Sequence, residues 1–159
     1  MVKIIDNFLP EQASTNINDL LTGENFPWYF NNYKSSATIQ ELFEYQFIHI
    51  FYDKDIVNSD HFNSLKPLLN KLNCLSLIRI KANLNVRTEK QFLFEKHQDQ
   101  DFDCKVAIFY LNSNDGYTLI NNKEIKSVKN RMLFFNNEWH SSSTTTDQPN
   151  RIVINFNYF

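Results

Sequence analysis

Hydrophobic and polar positions follow two periods along this chain. From Leu75 the period is two. Leu75, Leu77, Ile78, Ile80, Ala82 and Leu84 alternate with Arg79, Lys81 and Asn83, which predicts a long strand with its polar members on one face. Val2 to Ile5 reads as a short strand, and Pro10 as the opening of a helix that closes at Leu20, Leu21 and Gly23. Phe26 to Phe30 is extended and aromatic, Asn31 to Ser36 a polar loop, Phe43 to Tyr52 a strand and Asp53 to Asp60 a loop. Ser59 or Asp60 caps a helix whose buried face carries Phe62, Leu65, Leu68, Leu69 and Leu72, three or four apart. Pro67 lies inside that run and marks a kink or a later start. Arg87 to Lys96 is charged, a candidate lid beside His97, as is the loop over 53–60. Strand-like segments follow at 104–111, 117–120, 131–135 and 151–158.

Many short strands separated by turn signals predict a sandwich or jelly roll. We read a mostly β chain with supporting N-terminal helices, a single domain over 1–159. Residues 1–74 form the support and 75–159 a core of double-stranded β-helix type, the jelly roll. There is no internal repeat.

Composition narrows this. With 159 residues, 42% hydrophobic and 15% aromatic, the chain can bury a core without cross-links. Its two cysteines, Cys74 and Cys104, are read as reduced core residues rather than a disulfide framework. A net charge of −2 gives no electrostatic case for bulk binding to nucleic acid or an anionic membrane. Apolar runs are too short to span a bilayer, and the N-terminus lacks the pattern of a signal peptide. A cytoplasmic protein is expected.

The candidate chemistry lies between His97 and Arg151. Residues i and i+2 of an extended backbone share a face, so His97 and Asp99 can reach one ion. Alone, H-x-D also fits a polar strand start. His140 follows an apolar strand and the polar stretch Asn136–Trp139, where it can join them or be an ordinary loop histidine. Two imidazoles and a carboxylate on a metal leave open positions, the donor set of non-haem Fe(II) oxygenases. Arg151 opens an apolar strand, where burial demands an anionic partner; a carboxylate ligand suits its planar fork, as would a nearby Asp or Glu.

These pieces resemble the 2-oxoglutarate (2OG)/Fe(II)-dependent oxygenases, in particular the prolyl-4-hydroxylase-like branch and its small phage-encoded members. The likeness rests on His97-Gln98-Asp99, Ala107 to Asn112, Asn130 to Phe135, His140, Arg151 and the strand Arg79 to Leu84. It covers 79–159; the N-terminal half matches more loosely. The resemblance implies Fe(II) held by His97, Asp99 and His140, with 2OG and O2 as co-substrates and ascorbate as a supporting reductant. It implies Arg151 on the distal carboxylate of 2OG, with Tyr110 assisting, although Tyr110 is equally a core aromatic. Asn83 is a further candidate contact to 2OG. The chain reads Asp115-Gly116-Tyr117-Thr118 where the family often has two glycines before the threonine, and Arg151 stands where many prolyl hydroxylases have lysine. Both departures leave prolyl specificity open.

Competing readings are a non-catalytic jelly-roll binding module and a nucleic-acid demethylase, the latter disfavoured because no Arg follows Arg151. A zinc site of His97, His140 and Cys104 lacks paired ligand spacing. Asp99 to Asp103 lacks the Gly and Glu of a calcium loop. The expected substrate is a peptide or protein, peptidyl proline first, or a small molecule such as a free amino acid.

Overall fold

The computed structural model describes residues 1–31 and 45–159. Its framework is an eight-stranded sheet. Strands β1 (Lys3–Ile5), β9 (Arg131–Asn136), β6 (Lys105–Tyr110), β11 (Asn150–Tyr158), β5 (Leu77–Val86), β3 (Gln46–Asp53) and β2 (Tyr29–Asn31) lie in that order, and β4 (Ile56–Val57) pairs with β3. Every pairing between its strands is antiparallel. A smaller sheet of β10 (His140–Ser142), β7 (Tyr117–Ile120) and β8 (Lys123–Lys126) faces it. The segment before Gln98 extends the small sheet through isolated bridges, Leu93 to Ser143 and His97 to His140. This is the double-stranded β-helix expected.

Alternation along the large sheet divides the interior in two. Ile80 and Ala82, Ala107 and Phe109, and Ile152, Ile154 and Phe156 point to one face. There they pack against Ile17 and Leu21 of helix α1 (Glu11–Thr22) and Leu68 and Leu72 of α2 (Lys66–Leu72). Val106, Ile108, Tyr110, Leu133, Phe135 and Val153 point the other way, against Ile120 and Ile125 of the small sheet. Strand β11, between β5 and β6, is therefore buried on both faces.

Most predicted elements are found with small shifts. Pro10 is the N-cap of α1 and Gly23 its C-cap. The run from Phe62 to Leu72 is two pieces, a 3-10 turn over Phe62–Leu65 followed by α2. Pro67 sits in the first turn of α2, where its missing N–H leaves no bond unmade. Of the predicted loop over 53–60, part is a tight hairpin into β4, with Lys54 and Asp55 both at positive φ. Strand β8 follows a similar turn at Asn121-Asn122, again both left-handed, the geometry that a two-residue hairpin requires. Part of the predicted loop over 31–36 and the first two residues of the strand predicted over 43–52 lie outside the described residues. Cys104 is buried and Cys74 half-buried, both free. No helix among the described residues is long and apolar enough to cross a membrane.

Candidate metal centre

His97, Asp99 and His140 come together because two chain segments pair. His97 and His140 form an antiparallel bridge, each donating its backbone N–H to the other's carbonyl, at 2.8 and 3.0 Å. The two rings lie 4.6 Å apart. One ligand atom from each of the three residues lies within 4.8 Å of the others, and among the described residues this is the one such cluster of His, Cys, Asp and Glu. Cys104 is not part of it, which removes the zinc reading built on that thiol.

Hydrogen bonds fix which atoms face the ion position. His140 Nδ1 lies 2.9 Å from the Glu138 carbonyl oxygen and His97 Nδ1 3.4 Å from that of Glu95. Each Nδ1 then carries the proton, and each Nε2 presents a lone pair. Asp99 accepts from Arg79 at 3.1 Å on one oxygen, and from Asn155 and Asn157 at 3.0 and 3.2 Å on the other. An ionised carboxylate has about four acceptor sites, so three are used and one remains for a cation. Burial alone would raise the Asp99 pKa. His140, the Arg79 guanidinium and the Asn155 hydrogen bond outweigh it and hold the carboxyl below its ordinary range.

The loop that carries Asp99 is held by Asn137. Its Oδ1 accepts the backbone N–H groups of Asp99 and Gln100, and its Nδ2 donates to the carbonyls of Gln100 and Phe102. In the sequence 136–139 is only a polar stretch, and nothing in it signals this role. The residues on Asp99 were more legible: Arg79, Asn155 and Asn157 occupy the polar positions of strands whose alternate members are apolar.

A cavity of about 270 Å³ extends from the triad between the two sheets, lined by Arg79, Lys81 and Asn83 of β5, Thr118 of β7, and Arg151 and Asn155 of β11 among others. Arg151 is 1% exposed. Its Nε donates to Ser127 Oγ at 2.7 Å and its Nη2 to Thr118 Oγ1 at 3.0 Å, while its Nη1 has no partner. No carboxylate pairs with it among the described residues, and burial pulls its pKa down. This is a guanidinium built to receive an anion. Tyr110 is fully buried; its hydroxyl donates to Thr118 Oγ1 at 2.8 Å, and its ring lies 5.6 Å from the Arg151 guanidinium. It thus supports the pocket around Arg151 while packing in the inner core. Asn83 lines the cavity.

Gly116 makes room for Arg151. A Cβ at that position would stand 2.6 Å from Arg151 Cδ and 2.9 Å from the Thr144 carbonyl oxygen. The two lid candidates fall elsewhere. Neither 53–60 nor 87–96 lines this cavity; residues 87–92 instead line a neighbouring hollow of about 570 Å³ that shares Asn85 with it.

No protein-family model matches the chain. No curated protein matches it in sequence. Solved structures do match in fold. A prolyl hydroxylase of Trichoplax adhaerens, in complex with a hypoxia inducible factor peptide fragment, superposes with TM-score 0.70 at 15% identity, over 99% of this chain and 83% of that one. A 2OG-Fe(II) oxygenase family oxidoreductase of Burkholderia pseudomallei superposes with TM-score 0.71 at 10% identity, over 99% and 84%. HygX of Streptomyces hygroscopicus, with nickel and 2-oxoglutarate bound, gives TM-score 0.64 at 11% identity, over 99% and 82%. At these identities the likeness is one of fold.

Proposed function

We propose that the chain is an Fe(II)- and 2OG-dependent dioxygenase that hydroxylates a substrate C–H bond. The observation that carries this reading is the pairing, in one cavity, of an open His-Asp-His cluster with a buried arginine that lacks an anion. His97, Asp99 and His140 would hold the metal by three donors, with positions left for co-substrate and O2. When bound, Fe(II) and 2OG supply the oxidising chemistry: 2OG and O2 become succinate and CO2 as the substrate C–H becomes C–OH. The protein's part is placement. Arg151, braced by Ser127 and Thr118, would take the distal carboxylate of 2OG, with Tyr110 bracing Thr118. Asn83 is proposed as a further polar contact along the co-substrate. Arg79, Asn155 and Asn157 would orient Asp99 and keep it ionised.

Likeness in fold to a peptide-bound prolyl hydroxylase supports a peptidyl C–H donor, proline first. The charge lining the cavity, an observation on this chain itself, favours a small acid over a peptide. The test is succinate formation from 2OG with Fe(II) and ascorbate and no added substrate, for the wild type, His97→Ala and Arg151→Ala. Slow uncoupled turnover is expected in the wild type and at least a hundredfold less in both variants. Bound metal and 2OG with no succinate, even across candidate peptides and amino acids, would replace the enzyme with a non-catalytic binding module.

A further inference from the structure

The cavity carries more positive charge than metal and co-substrate need. Arg79, Lys81 and Arg151 line it against a single carboxylate, Asp99. Arg79 is paired with Asp99 at 3.1 Å, and Arg151 is given to the distal carboxylate of 2OG. A divalent metal and a dianionic co-substrate offset each other, so they leave Lys81 without a counter-charge of its own. Lys81 has no carboxylate within ion-pair distance among the described residues. It stands on the inner face of β5, in register with Asn155 on one side and Ile50 of β3 on the other. Asn155 holds Asp99, which places Lys81 at the metal end of the cavity, while Arg151 lies in register with Asn85 at the far end.

A second observation lies on the same wall of the cavity but nearer its far end, next to the Phe47–Leu84 pair. Gln46, at the start of β3, is 3% exposed and lines the cavity, and its Oε1 has no partner. A buried acceptor without a donor is costly, so a ligand that brings an N–H or O–H group would be stabilised there. Lys81 asks for the complementary group, an acceptor with negative charge. The space is small: about 270 Å³ against about 300–1,000 Å³ for sites that enclose drug-sized ligands.

We propose that the primary substrate is a small carboxylic acid carrying a hydrogen-bond donor, of which a free amino acid is the simplest class, with Lys81 as the residue that binds its carboxylate. This rests on the dioxygenase reading. In that assignment Lys81 is a specificity residue, and Gln46 accepts from a donor at the end of the substrate remote from that carboxylate. Burial, with the nearby charge of Arg79, pulls the Lys81 pKa down to about 8, as suits an ammonium that lacks its counter-ion.

The test uses the full chain loaded with Mn(II) and 2OG, titrated with free amino acids and with their carboxamides, by calorimetry and thermal shift. At least one free amino acid should bind, and its carboxamide at least tenfold more weakly. Lys81→Met should abolish that preference and Lys81→Arg should keep it, with the Kd of 2OG within threefold of wild type in both. Equal binding of acid and amide, or no binding by any amino acid, would overturn the proposal. So would a tenfold loss of 2OG affinity in Lys81→Met, which would assign the ammonium to the co-substrate. Failure of the wild type to bind Mn(II) or 2OG would instead strike the dioxygenase reading, and this proposal with it.

Discussion

A buried guanidinium whose Nη1 has no partner makes its surroundings sensitive to single atoms. Gly116→Ala places a methyl group 2.6 Å from Arg151 Cδ, closer than carbon atoms approach without displacement. With the Thr144 carbonyl 2.9 Å away on the backbone, the arginine stem must move. The expected outcome is a 2OG affinity at least tenfold weaker with metal affinity nearly unchanged, measured by calorimetry. Asn137→Ala should do the reverse. It removes four hydrogen bonds that shape the loop around Asp99, and loss of such outer partners weakens metal binding about 10–100-fold. Calorimetric titration with Mn(II) would check it. Legibility divides the same way at this scale. His97, Asp99, His140 and Arg151 could be read as candidates, the first two from their i, i+2 spacing and the other two as polar residues beside apolar strands. Asn137, Thr118 and Ser127 could not, because small polar side chains carry no period and the Asp99 loop and Arg151 that they hold lie 24 to 38 residues away in sequence.

At the level of elements, one carboxylate ties the segment after β10 to the turn that opens β7. Asp115 accepts from the backbone and hydroxyl of Thr146 and from the Thr145 hydroxyl, tying the 144–147 segment to the turn before β7. Its burial is outweighed by these hydrogen bonds, which lower its pKa from 3.8 to about 2. Because the folded value lies below the unfolded one, the unfolded chain takes up the proton first as acid is added. The stabilisation is therefore complete above about pH 4 and is lost as the pH falls through about 2. Urea unfolding of wild type and Asp115→Asn at a series of pH values should give a gap that narrows over that range; a constant gap would refute the role. The long strands and both helices were legible because their periods repeat. Strands β8 and β10 were not, since Lys123–Lys126 and His140–Ser142 are too short to show alternation. The Asn121-Asn122 turn was the available signal for β8.

For the whole molecule, ligands that bind only the folded state add to its stability. At about one hundred times its Kd a ligand contributes about 2.7 kcal/mol, and a chain of this size gains about 2–4 °C per kcal/mol. Saturating Mn(II) with 2OG should thus raise Tm by roughly 5–10 °C, and His97→Ala should remove the gain in a thermal melt. The sheet order carries a consequence for how the protein is made. Without β11, the large sheet is two separate pieces, β1-β9-β6 and β5-β3-β2. On a ribosome, residues 150–158 emerge after every other described strand, so β5 and β6 wait with open edges, and open edges recruit other chains. Arg151 travels on that same strand, so the buried guanidinium and the closed sheet arrive together: a nascent chain completes this anion-accepting pocket only once its open edges are paired.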